Sequence, residues 1–205
     1  LRALKVGKSA VIGFNAAKSH RIVDMRENHI LRAELLDLVA PLRELLGGLL
    51  QSRRTGEVQM TLVDQGVDLS LAGIEPKGFE ALEALTAFCE RNRLARLSID
   101  QGLGPETLYE PVPATITLSG IPVTFPVGGF LQATEDGEAG LVASVRDAVG
   151  DAGKVADLFA GLGTFALALS GKIYAAEASR NAVLALKRAA PSVTVEHRDL
   201  YRRPL

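Results

Sequence analysis

The sequence predicts an α/β chain in which an incomplete doubly wound parallel sheet follows a smaller α+β domain. Three observations carry that reading. The first half combines strand-like runs and two helical stretches with a hairpin signal, the mark of an antiparallel sheet with helices. From about residue 137 onward, helical and strand-like segments alternate one for one, as in βαβ units. Within that alternation, Asp157-Leu-Phe-Ala-Gly161-Leu-Gly163-Thr-Phe165 carries an apolar strand through two glycines toward a helix-forming run.

Taken in order, residues 9–14 and 21–25 are short strand candidates separated by the polar loop 15–20. Leu35, Leu38, Val39, Leu42, Leu45, Leu46 and Leu49 fall on one face and predict a single amphipathic helix over 31–50. Gly47 and Gly48 are expected to fray its end. Val58, Met60 and Leu62 alternate with polar residues, Asp64-Gln-Gly66 turns the chain, and Val67, Leu69 and Leu71 alternate back as a hairpin. Phe79, Leu82, Leu85 and Cys89 give a second helix over 79–93, and 95–99 reads as a strand. Residues 115–118 and 122–125 flank Ser119-Gly120 as another hairpin, and a boundary near 118–120 divides the chain into domains 1–118 and 119–205. The remaining elements are helix 137–149, strand 154–159, helix 164–170, strand 172–176, helix 179–189 and strand 193–196.

A chain of 205 residues, 47% hydrophobic with a net charge of −1, has the composition of a globular protein with a buried core. No apolar run approaches the ~20 residues that span a bilayer, so no membrane partner is expected. One cysteine excludes internal disulfides and a cysteine-only metal site, and makes a reducing cytoplasm the expected location. The chain opens on Leu1 rather than Met and stops soon after its last strand, too early to complete a doubly wound sheet. It is therefore expected to be a fragment of a longer protein. Charge is locally uneven: residues 1–32 hold seven Lys or Arg against two acids, and 187–205 hold five against two. Such clusters suit either a phosphate backbone or a solvated face.

The glycine loop carries the chemistry. Gly161 and Gly163 let backbone N–H groups approach a ligand closely, and a following helix N-terminus would add partial positive charge. Glu177 ends the next strand, where a carboxylate can accept hydrogen bonds from both hydroxyls of a ribose. Two cofactor classes compete for this unit, and an ordinary glycine-rich turn without a ligand is the third reading. Gly161-Leu-Gly163-Thr-Phe-Ala166 fits the dinucleotide fingerprint of NAD. Asp157, four residues before the first glycine, better suits S-adenosylmethionine, which is cationic at its reactive end. Asp199 could accept from the adenine amino group, or instead cap a helix or pair with Arg198 or Arg202. Phe159 could lie against the adenine or plug the space below the loop. Gln132, the polar residue of Gly128-Gly-Phe-Leu-Gln132-Ala-Thr134, has donors and an acceptor suited to an amino-acid end.

Phe-Leu-Gln132-Ala-Thr, Asp157-Leu-Phe-Ala-Gly-Leu-Gly-Thr-Phe and Ala-Glu177 together resemble the RNA uracil-C5 methyltransferases that modify tRNA and large-subunit rRNA. Gly13-Phe, Ser19, Ile22-Val-Asp24, Ile30-Leu31 and the closing Arg198-Asp199-Leu-Tyr resemble the same family. The resemblance implies a Rossmann-like methyltransferase sheet with Gln132, Phe159, Thr164, Glu177 and Asp199 on S-adenosylmethionine. Thr164 stands where Asn is often found, and its hydroxyl offers fewer hydrogen bonds. The implied partner is RNA, with no protein partner inferred, and the central domain 1–118 would help to hold it.

The implied reaction adds a cysteine thiolate to C6 of uracil, C5 takes the methyl group, and a base then removes the C5 proton. In that family the nucleophile follows an Asp-Pro-Pro motif, which this sequence lacks, so no catalytic residue is assigned and the chain alone is expected to be inactive. Cys89, on the apolar face of a helix, is expected to be an inert core residue. Many members also hold a four-iron cluster on four cysteines. Asn28 and His29 occupy the place of the fourth, and neither supplies its thiolate, so the cluster and any metal are not expected here. A methyltransferase of another substrate class, a nicotinamide-dependent oxidoreductase and a non-catalytic RNA-binding relative are the competing readings.

Overall fold

A computed structural model describes residues 1–204, which fall into two compact units that meet in sequence at Ala114 and Thr115. The first opens with β1 (Arg2–Val6), β2 (Ser9–Asn15) and β3 (Ile22–Asp24), followed by α1 (Ala33–Asp37) and α2 (Val39–Leu49). It continues through β4 (Thr55–Val63), β5 (Gly66–Ala72), α3 (Phe79–Arg91), β6 (Arg96–Asp100) and β7 (Pro105–Tyr109). The seven strands form one sheet in the order β3-β2-β1-β4-β5-β6-β7. All neighbours are antiparallel except β5 and β6, which the crossover through α3 makes parallel. Ala3, Ile12, Val58, Leu69, Leu71, Leu97 and Ile99 pack with Leu42 and Leu46 of α2 and Leu85, Phe88 and Cys89 of α3. The buried face of α3 is thus rotated from the expected one: Phe79 and Leu82 are exposed, and Phe88 takes their place.

The helix expected over 31–50 is two helices that break at Leu38. Pro41 supplies the reason. It has no N–H to donate to the carbonyl of Asp37 and its ring would crowd that carbonyl, so it is tolerated only in the first turn of a new helix. Gly47 and Gly48 do not fray the end; α2 runs through both to Leu49. A Cβ on Gly47 would lie 2.3 Å from the carbonyl oxygen of Lys8 and 2.6 Å from Cα of Ser9, so the absent side chain lets α2 rest on the β1–β2 turn. Two strands went unanticipated. Only Ala3 of β1 is fully buried, and β7 is an exposed edge strand that begins on a proline, so neither has an apolar alternation to read.

One ion pair is interior. Arg96 donates from Nε and Nη2 to both oxygens of Asp68, at 2.9 and 2.7 Å, across the parallel β5–β6 register. Its Nη1 reaches Glu110 Oε1 at 3.4 Å, and that oxygen also accepts from Ala114 N–H at 2.9 Å.

The second unit holds the hairpin β8 (Thr115–Leu118) and β9 (Ile121–Thr124), then α4 (Glu135–Val149), β10 (Lys154–Leu158), β11 (Lys172–Glu177), α5 (Arg180–Ala189) and β12 (Thr194–His197). Ser119 and Gly120 take φ of +48° and +81°, as a two-residue turn matched to the strand twist requires. β10, β11 and β12 pair in parallel in that order. Ile173, Ala175, Val183, Leu186 and Val195 form the core between this sheet and α5. Thr134 caps α4 by accepting from Gly137 N–H, and Ser179 caps α5 by accepting from Ala182 N–H. The helix expected over 164–170 is instead a series of turns. Gly163 and Gly171, both at positive φ, bound this run, and the Ala166 N–H is bonded to the Asp157 carboxylate instead of to a carbonyl of a preceding turn. Among the described residues, no helix is long and apolar enough to cross a membrane.

Two substitutions test this packing. Gly47→Ala gains helix propensity but drives a methyl into backbone, so urea unfolding should show a net loss of about 1–2 kcal/mol. Asp68→Ala leaves the Arg96 guanidinium buried without its bidentate partner and should cost about 3–5 kcal/mol in the same measurement.

Candidate functional site

The parallel register of the second unit sets the site. Asp157 lies beside Ala175, and Leu158 beside Ala176, so the chain leaving β10 passes Glu177 at the end of β11. Glu177 in turn pairs with His197, and Arg198 N–H donates to the Glu177 carbonyl at 2.8 Å. Phe159, Glu177 and Asp199 are therefore carried by the carboxyl ends of three adjacent strands, where ligands bind in open α/β sheets.

Glu177 holds the glycine loop. Its Oε2 accepts from Gly161 N–H at 2.9 Å, and its Oε1 accepts from Ser179 N–H at 2.6 Å, at the start of α5. Each oxygen keeps a further lone pair. Asp157, only 8% exposed, lies beneath the loop and its Oδ2 accepts from Ala166 N–H at 2.9 Å. Burial holds the Asp157 carboxyl above its ordinary value, the Ala166 N–H opposes that shift, and the Glu177 charge adds to it.

The two glycines do different work. Gly161 has φ of +56° and open space where a Cβ would stand. Gly163 has φ of +93°, and a Cβ there would lie 2.5 Å from Leu186 Cδ1, so it permits α5 to pack against the loop. Gly161 and Gly163 both spend their N–H groups inside the protein, on Glu177 and on the Ala160 carbonyl. The N–H groups of Leu162, Thr164 and Phe165 have no acceptor among the described residues, and those of Thr164 and Phe165 follow the second glycine. Thr164 itself is half-buried.

Phe159 departs most from ordinary geometry. It has φ of +61°, a left-handed conformation unusual for an aromatic residue, and the residue is 57% exposed. Its ring meets that of Tyr201 with centroids 5.4 Å apart and planes at 51°. Asp199 holds Tyr201 in place: Oδ1 accepts from Tyr201 N–H at 3.0 Å and Arg202 N–H at 3.2 Å, and Oδ2 lies 3.4 Å from Arg202 Nε. Asp199 thus caps the final turn and pairs with Arg202, while Arg198 pairs with Glu196 instead. The structure brings together Asp157, Phe159, Gly161, Gly163, Thr164, Glu177 and, through Tyr201, Asp199. Gln132 is half-buried in the loop between β9 and α4, and no hydrogen bond joins it to this group. The sequence offered Tyr201 only as part of the closing Arg198-Asp199-Leu-Tyr segment and gave it no role, because an aromatic residue near a basic run carries no periodic signal.

Cys89 is fully buried in the first unit, and burial pushes its thiol up to about 12, which leaves no thiolate at neutral pH. At the position of the fourth cluster cysteine, Asn28 Oδ1 accepts from the N–H groups of Ile30 and Leu31, both at 2.9 Å. The residue builds a local turn there. Among the described residues, no group of three or more His, Cys, Asp or Glu is arranged to hold a metal.

The raised carboxyl of Asp157 has a consequence for stability. The folded state binds its proton more tightly than the unfolded chain, so its contribution is full below the unfolded pKa and declines as pH rises through the raised value. Asp157→Asn removes that slope. Urea unfolding from about pH 4 to neutrality should show the variant gaining on the parent as pH rises; a constant difference would contradict this assignment.

Known proteins bear on this geometry. No protein-family model matches the chain. An uncharacterized RNA methyltransferase of Zymomonas mobilis is 51% identical over 211 residues, covering 100% of this chain and 53% of that protein. An uncharacterized RNA methyltransferase of Brucella melitensis is 36% identical, covering 99% and 50%. The 23S rRNA (uracil(1939)-C(5))-methyltransferase of Bordetella avium is 29% identical over 169 residues, covering 78% and 35%. Among solved structures, the Pyrococcus abyssi tRNA (uracil-54, C5)-methyltransferase in complex with S-adenosyl-L-homocysteine superposes with a TM-score of 0.68 at 14% identity, covering 96% of this chain and 53% of that one. That likeness establishes a shared α/β fold, Rossmann-like in its parallel sheet. The chain belongs to the RNA methyltransferase family represented by its Zymomonas and Brucella relatives, and it spans about half of their length.

Proposed function

We propose that this chain is the cofactor-binding half of an S-adenosylmethionine-dependent RNA methyltransferase that acts on C5 of uridine in rRNA or tRNA. The single observation that carries the reading is the Glu177 carboxylate fixed at the rim of the glycine loop. Its remaining lone pairs face outward from two backbone-anchored oxygens, a fixed acceptor pair for ribose hydroxyls. The residues present fit the cofactor in three further ways. Gly161 leaves open space above the loop, the Thr164 and Phe165 amides are free to donate, and the exposed Phe159 ring offers an aromatic surface to adenine. Gln132 and Asp199 complete the expected set, Gln132 toward the amino-acid end and Asp199 toward the adenine.

When bound, S-adenosylmethionine supplies an electrophilic methyl group on a sulfonium. The residues of this chain bind and orient; none of the described ones offers the thiolate that a C5 methylation requires, and Cys89 is buried in the other unit. In this reading 119–205 form the N-terminal half of the methyltransferase domain and 1–118 contact RNA. The uracil-C5 assignment draws its support from the motifs of the glycine loop and from the Bordetella relative.

Calorimetry separates the cofactor classes. S-adenosylhomocysteine should bind and NAD should not, and Glu177→Gln should weaken the former about 10- to 100-fold, the value of one or two charge-assisted hydrogen bonds. Binding of NAD alone would reverse the assignment. For the whole protein, methyl transfer to RNA carrying tritium at uracil C5 should release tritium in proportion to methyl groups added. Methylation without that release would sink the C5 reading while leaving an RNA methyltransferase.

A further inference from the structure

Two pairs of cations, distant from each other in sequence, meet at one end of the first sheet. β1 and β4 run antiparallel with Leu4 opposite Thr55, so the next residues outward, Lys5 on one strand and Arg54 before the other, leave the sheet side by side. Adjacent strands stand about 4.8 Å apart. Arg53 precedes Arg54, and Lys8 sits in the turn that joins β1 to β2 at the same end. Lys8, Arg53 and Arg54 are exposed and Lys5 is half-exposed. None of the four has an ion-pair partner among the described residues.

Three acids near this end are engaged elsewhere. Glu75 shares a shallow hollow with Arg54 but pairs with Lys77 at 3.8 Å. Asp100 accepts from the N–H groups of Gly102 and Gly104. Glu57, the acid nearest in β4, pairs with Arg2 at 2.7 Å. Arg53 also holds φ of +65°, a conformation that glycine would adopt without strain.

We propose that Lys5, Lys8, Arg53 and Arg54 form a phosphate-contacting patch that holds the backbone of an RNA partner. The proposal rests on the RNA methyltransferase reading above and locates part of its substrate surface on the first unit. Exposed cations on the rim of a sheet suit a negatively charged, extended backbone, and each phosphate neutralised releases condensed counterions. The net charge of −1 means that attraction comes from this local concentration and not from the protein as a whole. A structural alternative also exists at this end. The last turn of α2 has no basic residue of its own, and its closing carbonyls would favour nearby cations.

The test measures anisotropy of a fluorescein-labelled RNA stem-loop with the 205-residue chain across a salt series. Lys8→Ala/Arg53→Gly removes two charges at exposed positions, the second with a residue better suited to its φ. The quadruple variant adds Lys5→Ala and Arg54→Ala. Lys18→Ala/Arg21→Ala is the control: both residues are exposed, but they lie in the β2–β3 loop at the opposite end of β2, about 20 Å away. The log–log salt slope should fall by roughly 0.7–0.9 for each patch cation removed and stay at the parent value in the control. Melting temperatures of the double variant and the parent should agree. An unchanged slope in the quadruple variant overturns the proposal, as does an equal loss in the control or a melting-point drop without a slope change. Equal, patch-dependent binding to phosphatidylserine vesicles would overturn it in favour of a general anion surface. If the parent chain binds no RNA even at low salt, the RNA-contacting role of residues 1–118 fails with it.

Discussion

The carboxylate of Glu177 is the constraint on which the geometry of the second unit depends. It closes two loops at once, through Gly161 N–H after β10 and Ser179 N–H before α5. Charge-assisted bonds of this length are stronger than neutral ones and directional, so they set the path of the backbone as well as its energy. With Gly161 fixed from above and Asp157 holding Ala166 N–H from below, the chain between them has little freedom. Phe159 is held just before that segment, between the end of β10 and Ala160, whose N–H donates to the Ala176 carbonyl at 3.1 Å, and it keeps a left-handed conformation that costs an L-residue about 1–2 kcal/mol. The strain places an aromatic ring on the surface beside the loop, where a packing role alone would have turned it inward.

The core beneath is built for close approach. Ala160, Ala166, Ala175 and Ala190 line it, with Leu186 as its largest fully buried member. Small side chains bring α5 near the sheet, and Gly163 lets Leu186 seat directly under the turn. Each of these contacts is short, so the loop is supported by backbone and by residues with little rotamer freedom. Such a platform can present N–H groups to a ligand with small reorganisation cost.

Much of this was legible in the chain, and the reasons for the failures are physical. The hairpin around Asp64-Gln-Gly66 and the β10–α5–β12 succession follow hydrophobic periods that survive tertiary packing. The split of the 31–50 helix turned on Pro41 within a perfect apolar stripe, where periodicity outweighed one missing donor in the reading. The run over 164–170 had helix-forming composition but was bounded by two glycines at positive φ, and the Asp157 carboxylate draws off the Ala166 N–H. The site residues Glu177 and Asp199 were visible from their place after strands, yet their existing bonds to Gly161, Ser179, Tyr201 and Arg202 were not. Those bonds depend on loop geometry that no spacing encodes. The pairing of Arg96 with Asp68, 28 residues apart, was likewise invisible until β5 and β6 were laid side by side.

The charge at the strand ends bears on which ligand the loop can hold. Asp157, Glu177 and Asp199 stand at the ends of β10, β11 and just beyond β12, and the repulsion between the first two contributes to the raised carboxyl of Asp157. A dinucleotide would bring two phosphates into this setting, against carboxylates whose N–H partners are already committed. The free amides of Thr164 and Phe165 begin no regular helix, so the dipole that usually favours a pyrophosphate there is weak. A ligand with a neutral ribose and a cationic reactive end meets the opposite balance, since the acids that hold the loop together also attract it. In the proposed reading, the residues that stabilise this turn are therefore the ones that favour S-adenosylmethionine over a dinucleotide.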